Sequence, residues 1–206
     1  MSAPAVGPRR DGDRRLTARG EERKRQLKAF AVSRFAEKGY HPTSVAELVA
    51  GVGVGKGVFY WYFETKEQLF LELLHDAQRD LRHARQTAIG PACAPVRRIE
   101  LGIRASMRWW ADHRDLVNLF QFAATDERFA PALRRGQERA VAETAGHLTE
   151  AMAAGSVPGG DADVLAQAVL GATLHLARER IHAQGEDADE VADAAVAFCL
   201  GGLHHR

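Results

Sequence analysis

The sequence predicts an all-α fold. Apolar residues recur at three- and four-residue spacing along most of the chain, and glycine and proline interrupt the pattern at intervals. Ser44 with Glu47 and Thr65 with Gln68 place a capping box at the start of two periodic stretches. At 206 residues, with 46% hydrophobic and 27% charged composition, the chain is long enough for one sizeable core or two smaller ones.

The elements follow in order. Residues 1–18 hold Pro4, Pro8, Arg9, Arg10, Arg14 and Arg15 without apolar periodicity, which predicts a disordered basic tail able to graze DNA. From about Arg19 the pattern is helical. Leu27, Phe30, Ala31 and Phe35 share a face, Gly39 sits where a C-cap belongs, and Tyr40-His41-Pro42 forms the link. Val45, Leu48 and Val49 make a short helix from Ser44 to Gly51, and Gly51 to Gly53 supplies a turn. Lys56 to Trp61 forms a second short helix that Phe59 and Phe63 anchor, leaving Lys56, Gly57, Tyr60 and Trp61 outward. Leu69, Phe70, Leu73, Leu74, Ala77, Leu81 and Ala84 then mark a long helix that Gly90-Pro91 stops.

The remainder is helical too. Val96, Ile99, Ile103, Met107 and Trp110 form one stripe, Leu116, Leu119, Phe120 and Ala123 a shorter one, and Leu133 to Met152 a longer one before a loop at Gly155 to Gly160. Val164 to Ile181 and a last helix with Val191, Ala195, Phe198, Cys199 and Leu203 close the chain, with small residues that allow close helix approach.

The glycine-rich run Gly51 to Gly57 invites a phosphate-loop reading, and its context rejects it. The P-loop pattern would need glycine at Ala50 and a hydroxyl at Gly57, and the dinucleotide pattern meets Lys56 or Val58 where its third glycine belongs. Ser44 to Ala50, just before it, has helical rather than alternating spacing.

Net charge is +1 but unevenly placed. Met1 to Lys66 carries 13 Lys and Arg against 7 Asp and Glu, net +6, and Glu67 to Arg206 carries 15 against 20, net −5. One end is suited to phosphate and the other is not. No apolar run approaches the roughly 20 residues of a membrane span, and the N-terminus lacks a secretory apolar core, so a cytoplasmic location is expected. Cys93 and Cys199 lie far apart and read as packing residues.

Residues 27 to 70, with Leu27-x-x-x-Ala31-x-x-x-Phe35-Ala36-Glu37-Lys38-Gly39-Tyr40, Thr43-Ser44-Val45, Gly53-Val54, Gly57-x-x-Tyr60-x-x-Phe63 and Lys66-Glu67-x-Leu69, resemble the N-terminal domain of TetR-family transcriptional regulators. The resemblance implies a helix-turn-helix DNA-binding domain at 19–66 and an effector-binding and dimerisation domain at 67–206. The long helix would join them. It implies that Thr43, Ser44, Tyr60, Tyr62 and Lys66 hold phosphates while Lys56, Gly57, Val58 and Trp61 face base edges. Gly55 departs from the serine that often opens the family's recognition helix, and is a poorer cap. The last two helices would pair with those of a second copy, and the homodimer would demand a pseudo-palindromic operator with half-sites about one helical turn apart.

The resemblance further implies a cavity for a small-molecule effector among the middle helices. Arg104, Met107, Arg108, Trp109, Trp110, His113, Phe120, Phe122, Met152 and His175 are the expected lining. An apolar wall with one or two cations suits a lipophilic anion such as a fatty acid or acyl-CoA. His175, Glu179 and His182 could share a helix face, but without the H-E-x-x-H pattern they read as interface residues; no metal or cofactor is expected. No G-x-S-x-G occurs and no set of titratable groups converges, so no enzyme is expected. The expectation is therefore a ligand-released repressor; the alternative is a ligand-independent architectural DNA binder, which needs no cavity.

Overall fold

The structure is a computed structural model that describes residues 17–90 and 94–204. Most of the basic tail expected at 1–18 lies outside the described residues, as does Cys93. Ala18, expected in that tail, begins the first helix.

Helix α1 (Ala18–Lys38) starts where the Thr17 hydroxyl accepts the Gly20 N–H at 3.2 Å, and stops at Gly39, whose φ of +89° favours a residue without Cβ. Helix α2 (Val45–Gly51) starts at Ser44, whose hydroxyl accepts the Glu47 N–H at 3.1 Å. The Glu47 carboxylate does not complete the box. It accepts from Arg34 Nη2 at 2.6 Å and Lys38 Nζ at 2.7 Å, tying α2 to α1. These two cations hold its pKa down at about 2.

Gly51 ends α2 against the ring of Phe30, which a Cβ would meet at 2.0 Å, and Gly53 turns the chain with φ +68°. Helix α3 (Lys56–Tyr62) begins at Gly55 with no side-chain cap, and Phe59 and Phe63 lie wholly inside. Helix α4 (Lys66–Ile89) opens with the Thr65 hydroxyl accepting from Gln68 N–H at 3.0 Å. The Gln68 amide oxygen accepts from Glu64 N–H at 2.6 Å, one residue earlier than a capping box requires.

Beyond Gly90 the chain forms α5 (Pro95–Asp112), α6 (Arg114–Thr125), α7 (Ala130–Ala153), α8 (Ala162–Leu176) and α9 (Ala188–His204). Helix α5 is the axis of this half: α4, α7 and α9 all pack on it, α8 packs on α7, and α6 reaches across to α1. That explains how the adjacent Trp109 and Trp110 are both 5% exposed, since different helices cover neighbouring sides of α5.

One departure from the expected pattern lies after α8, where Ala177–Ala183 is π-helical rather than a continuation of the same helix. Its wider turn shifts later residues around the axis relative to α-helical register. His175, before this turn, and Glu179, within it, are exposed while His182 turns toward Trp110, and no metal-holding group of three His, Cys, Asp or Glu occurs among the described residues.

A single continuous core runs from Leu27 to Leu203. Its two halves meet at Tyr40, which is stacked on Phe122 with centroids 5.3 Å apart and edge-on to Phe70 and Phe129 at 5.1 and 5.2 Å. Such pairs contribute about 0.5–1.5 kcal/mol each beyond area burial. The α1–α2 link is thereby fastened to α4, α6 and the start of α7.

Candidate DNA-binding surface and ligand cavity

Helix α3 divides cleanly by face. Phe59 is buried beneath it, while Tyr60 and Trp61 stand 57% and 52% exposed. Lys56 and Gly57 are exposed on the same side, and a Cβ added at Gly55 or Gly57 would meet nothing. Five of the residues expected to meet DNA are thus brought together on one open surface: Gly55, Lys56, Gly57, Tyr60 and Trp61. Val58 is half-buried, and Tyr62 is half-buried with its ring against Trp61, at 4.9 Å. Ser44 is exposed at the start of α2, its oxygen engaged by the helix and its hydroxyl proton free to meet a phosphate.

Two expected phosphate ligands point elsewhere. Thr43 is fully buried and its hydroxyl donates to the Gly39 carbonyl at 2.8 Å, closing the turn after α1. The Lys66 ammonium donates to the Tyr40 and Thr43 carbonyls, both at 2.7 Å, reaches toward that of His41 at 3.5 Å, and lies 4.2 Å from the Tyr40 ring centre. Burial, and secondarily the charge of Arg128, hold its pKa below the ordinary lysine value. Lys66 is a staple on the link before α2. A basic residue at a helix start looks alike in sequence whether it meets phosphate or backbone carbonyls.

Residues 29–73, which contain α2, α3 and the first turns of α4, match the family described as bacterial regulatory proteins, tetR family. Residues 29–73 are a TetR-family N-terminal domain. The chain is 31% identical over 103 residues to the uncharacterized HTH-type transcriptional regulator YdgC of Bacillus subtilis, a match covering 48% of this chain and 52% of that one. It is 26% identical over 107 residues to the HTH-type transcriptional repressor KstR2 of Mycobacterium tuberculosis, covering 52% and 54%. The chain spans about half the length of these curated relatives. The fold extends further than the sequence match. The structure of the fatty acid degradation regulator FadR from Bacillus halodurans superposes with a TM-score of 0.80 at 19% identity, covering 89% of this chain and 97% of that one.

A cavity of about 700 Å³ lies between α4, α5, α6, α7 and α8, walled by Leu81, Trp110, Phe120, Leu133 and Leu174, with Arg85 at one side and exposed polar residues such as Gln137 and Glu138 along α7. A recess of about 260 Å³, lined by Ile89, Ile99, Ile103, His147 and Val169, shares Arg85, Ser106 and Thr173 with it. A larger groove of about 970 Å³ runs between α1 and α4, but charged residues ring it and most are paired, as Lys28 is with Glu72 and Asp76. The inner cavity is the better ligand site because it is more enclosed and large apolar side chains make up much of its wall.

Only Trp110 and Phe120 of the ten expected lining residues face that cavity. Arg104 and Arg108 instead bond Asp193 and Asp189, holding α9 to α5. Met107 is fully buried in the core, and Trp109 donates its Nε1 proton to Asp80 at 2.7 Å with its ring stacked on His113 at 4.3 Å. Phe122 stacks on Tyr40. Met152 is half-buried away from the cavity and His175 lies on the exposed side of α8. Sequence reasoning missed Arg85, whose signal was a lone arginine on the stripe side of the long helix.

No helix among the described residues is long and apolar enough to cross a membrane.

Proposed function

We propose that this chain is a homodimeric, ligand-responsive transcriptional repressor, with residues 19–66 reading DNA and 67–206 holding the effector and the dimer contact. The observation that carries the reading is α3: a short helix pinned by Phe59 and Phe63 that presents Lys56, Gly57, Tyr60 and Trp61 together on an open face. A lysine beside a glycine lets the helix approach base edges, and the aromatic hydroxyl and indole supply donors at the groove wall.

Dimer formation accounts for a second feature. Val164 on α8 and Phe198 on α9 are 59% and 71% exposed, and small residues flank them at Ala168, Gly171, Ala194 and Ala197. An uncovered strip of this kind suits a second copy packed as a four-helix interface. Phe198→Glu is expected to give a monomer by size-exclusion chromatography with light scattering, and to lose tight operator binding. A dimer that persists would remove this face from the interface.

The effector reading rests on the apolar cavity beside α4, the helix whose first turn carries Lys66. A ligand that favours one placement of α4 would bias the spacing of the two recognition helices. The lipophilic character of the walls, and the fold shared with a fatty acid degradation regulator, favour an effector of fatty-acid or acyl-CoA type. Selection of duplexes from a randomised library tests the whole reading. A pseudo-palindromic consensus with half-sites about one turn apart, bound at least about 10³-fold more tightly than random DNA, is expected. No consensus and a small ratio would leave an architectural DNA binder.

A further inference from the structure

At the half-buried inner end of the cavity the charged and hydroxyl groups are, with one exception, already engaged, while Arg134, Gln137, Glu138, Asp163 and Gln167 line the cavity from exposed positions. Ser106 donates to the Gly102 carbonyl at 2.7 Å, Thr173 to Val169 at 2.7 Å and Thr144 to Ala140 at 2.9 Å. The Gln78 amide donates to Leu133 at 3.2 Å. Arg82 pairs with Glu143, and Arg98 with Glu150 at 2.7 Å. His147 is held toward its neutral form by burial and, secondarily, by Arg98.

Arg85 is the exception. Its guanidinium lies between the main cavity and the recess, with no hydrogen bond and no ion pair among the described residues. Protein surrounds it closely enough that burial pulls its pKa below the ordinary arginine value, yet it keeps surface toward the cavity. The neighbouring Glu143 is neutralised by Arg82, which leaves one uncompensated positive charge at the inner end. A desolvated arginine without a partner is costly to the empty protein. Its planar fork of donors matches two carboxylate oxygens.

We propose that the inner end of this cavity is a carboxylate-binding site in which Arg85 is the charged anchor, and that the ligand is a free organic monoanion with an apolar body. The rest of the ligand would lie along Trp110, Phe120 and Leu133. A single unpaired guanidinium between cavity and recess suits one negative charge at that end of the ligand. Ser106, Thr144 and Thr173 have given their protons to backbone carbonyls, which disfavours a dianionic phosphate that would leave most of its acceptors unpaired. The free acid, rather than its thioester, supplies the carboxylate. This rests on the reading of the cavity as the effector site and narrows that ligand class.

The test uses the full-length chain with decanoate and 4-phenylbutanoate, their alcohols decan-1-ol and 4-phenylbutan-1-ol, and decanoyl-CoA. At about a hundredfold excess over Kd, at least one acid is expected to raise the melting temperature by about 5 °C or more, and its alcohol to do far less. Arg85→Met, which keeps length without charge, is expected to melt at or above the wild-type temperature when empty. It should bind the acid at least about 30-fold more weakly. Arg85→Lys, with charge but no fork, should fall between.

An alcohol that binds as well as its acid, an Arg85→Met protein that binds the acid unimpaired, thioester binding without acid binding, or no binding of either acid would each overturn the proposal. Operator release is measured separately on a duplex selected by the protein. Acid binding that leaves this duplex bound would keep the carboxylate site and sink the effector reading instead.

Discussion

Replacing Lys66 with methionine separates a staple from a phosphate ligand. The ammonium makes two short bonds to the Tyr40 and Thr43 carbonyls and sits over the Tyr40 ring. Hydrogen bonds from a charged donor are each worth about 1.5–3 kcal/mol and a part-buried cation–π contact about 1 kcal/mol. Against this stand the partial desolvation of the ammonium and the water that the freed carbonyls regain. A net loss of about 2–3 kcal/mol is expected, or about 4–12 °C in melting temperature for a chain of this size. The salt dependence of DNA binding gives the second readout. Each phosphate contact adds about 0.9 to the slope of log affinity against log salt. Lys66→Met should leave that slope unchanged while lowering stability, and Lys56→Met should do the reverse. An unchanged melting temperature with a slope reduced by about one contact would refute the staple and restore Lys66 as a phosphate ligand.

Gly55→Ser should stabilise the protein by about 0.5–1 kcal/mol, since the backbone there is extended at φ −81°, the site is open, and serine adds an N-cap while restricting the unfolded chain; urea unfolding measures it. His147 is expected to make the protein acid-sensitive. Its folded pKa lies below the ordinary 6.5, so the unfolded state binds the extra proton and stability falls as pH drops below about 6.5, levelling under the folded pKa. In melts from pH 7.5 to 5, His147→Gln should flatten that decline. Phe122→Ala should leave decanoate binding near wild type but weaken its effect on the operator complex, because it removes the ring stacked on Tyr40; equal ligand response in both proteins would argue against that route.

How far the fold was legible depends on whether a residue's role is set within its own helix. Phe59 and Phe63 inward with Lys56, Gly57, Tyr60 and Trp61 outward follows from helical period alone, and the structure has that arrangement. The caps at Ser44 and Thr65 are equally local. The carbonyl partners of Lys66 are not legible in sequence because they arrive from a link some two dozen residues earlier, and nothing in its surroundings announces them. Of the expected cavity lining, Arg104 and Arg108 are claimed by aspartates on α9, a pairing only the packed bundle creates. Trp109 and Trp110 are indistinguishable in sequence, and only the helices covering each side of α5 separate the one held by Asp80 from the one facing the cavity. The π-helical turn was invisible for another reason: Ala177 to Ala183 contains no proline or glycine to mark it.

The Lys66 contact also bears on where this chain can be cut. Residue 66 is a natural point at which to excise the DNA-reading part or to graft it onto another effector domain. A fragment ending there would carry the staple but not the helix that aims it, and Tyr40 would lose Phe70, Phe122 and Phe129 together. A functional chimera should therefore take its junction well inside α4 and import the matching α6 surface. The reading head and the rest of the molecule are exchanged as a fitted pair or not at all.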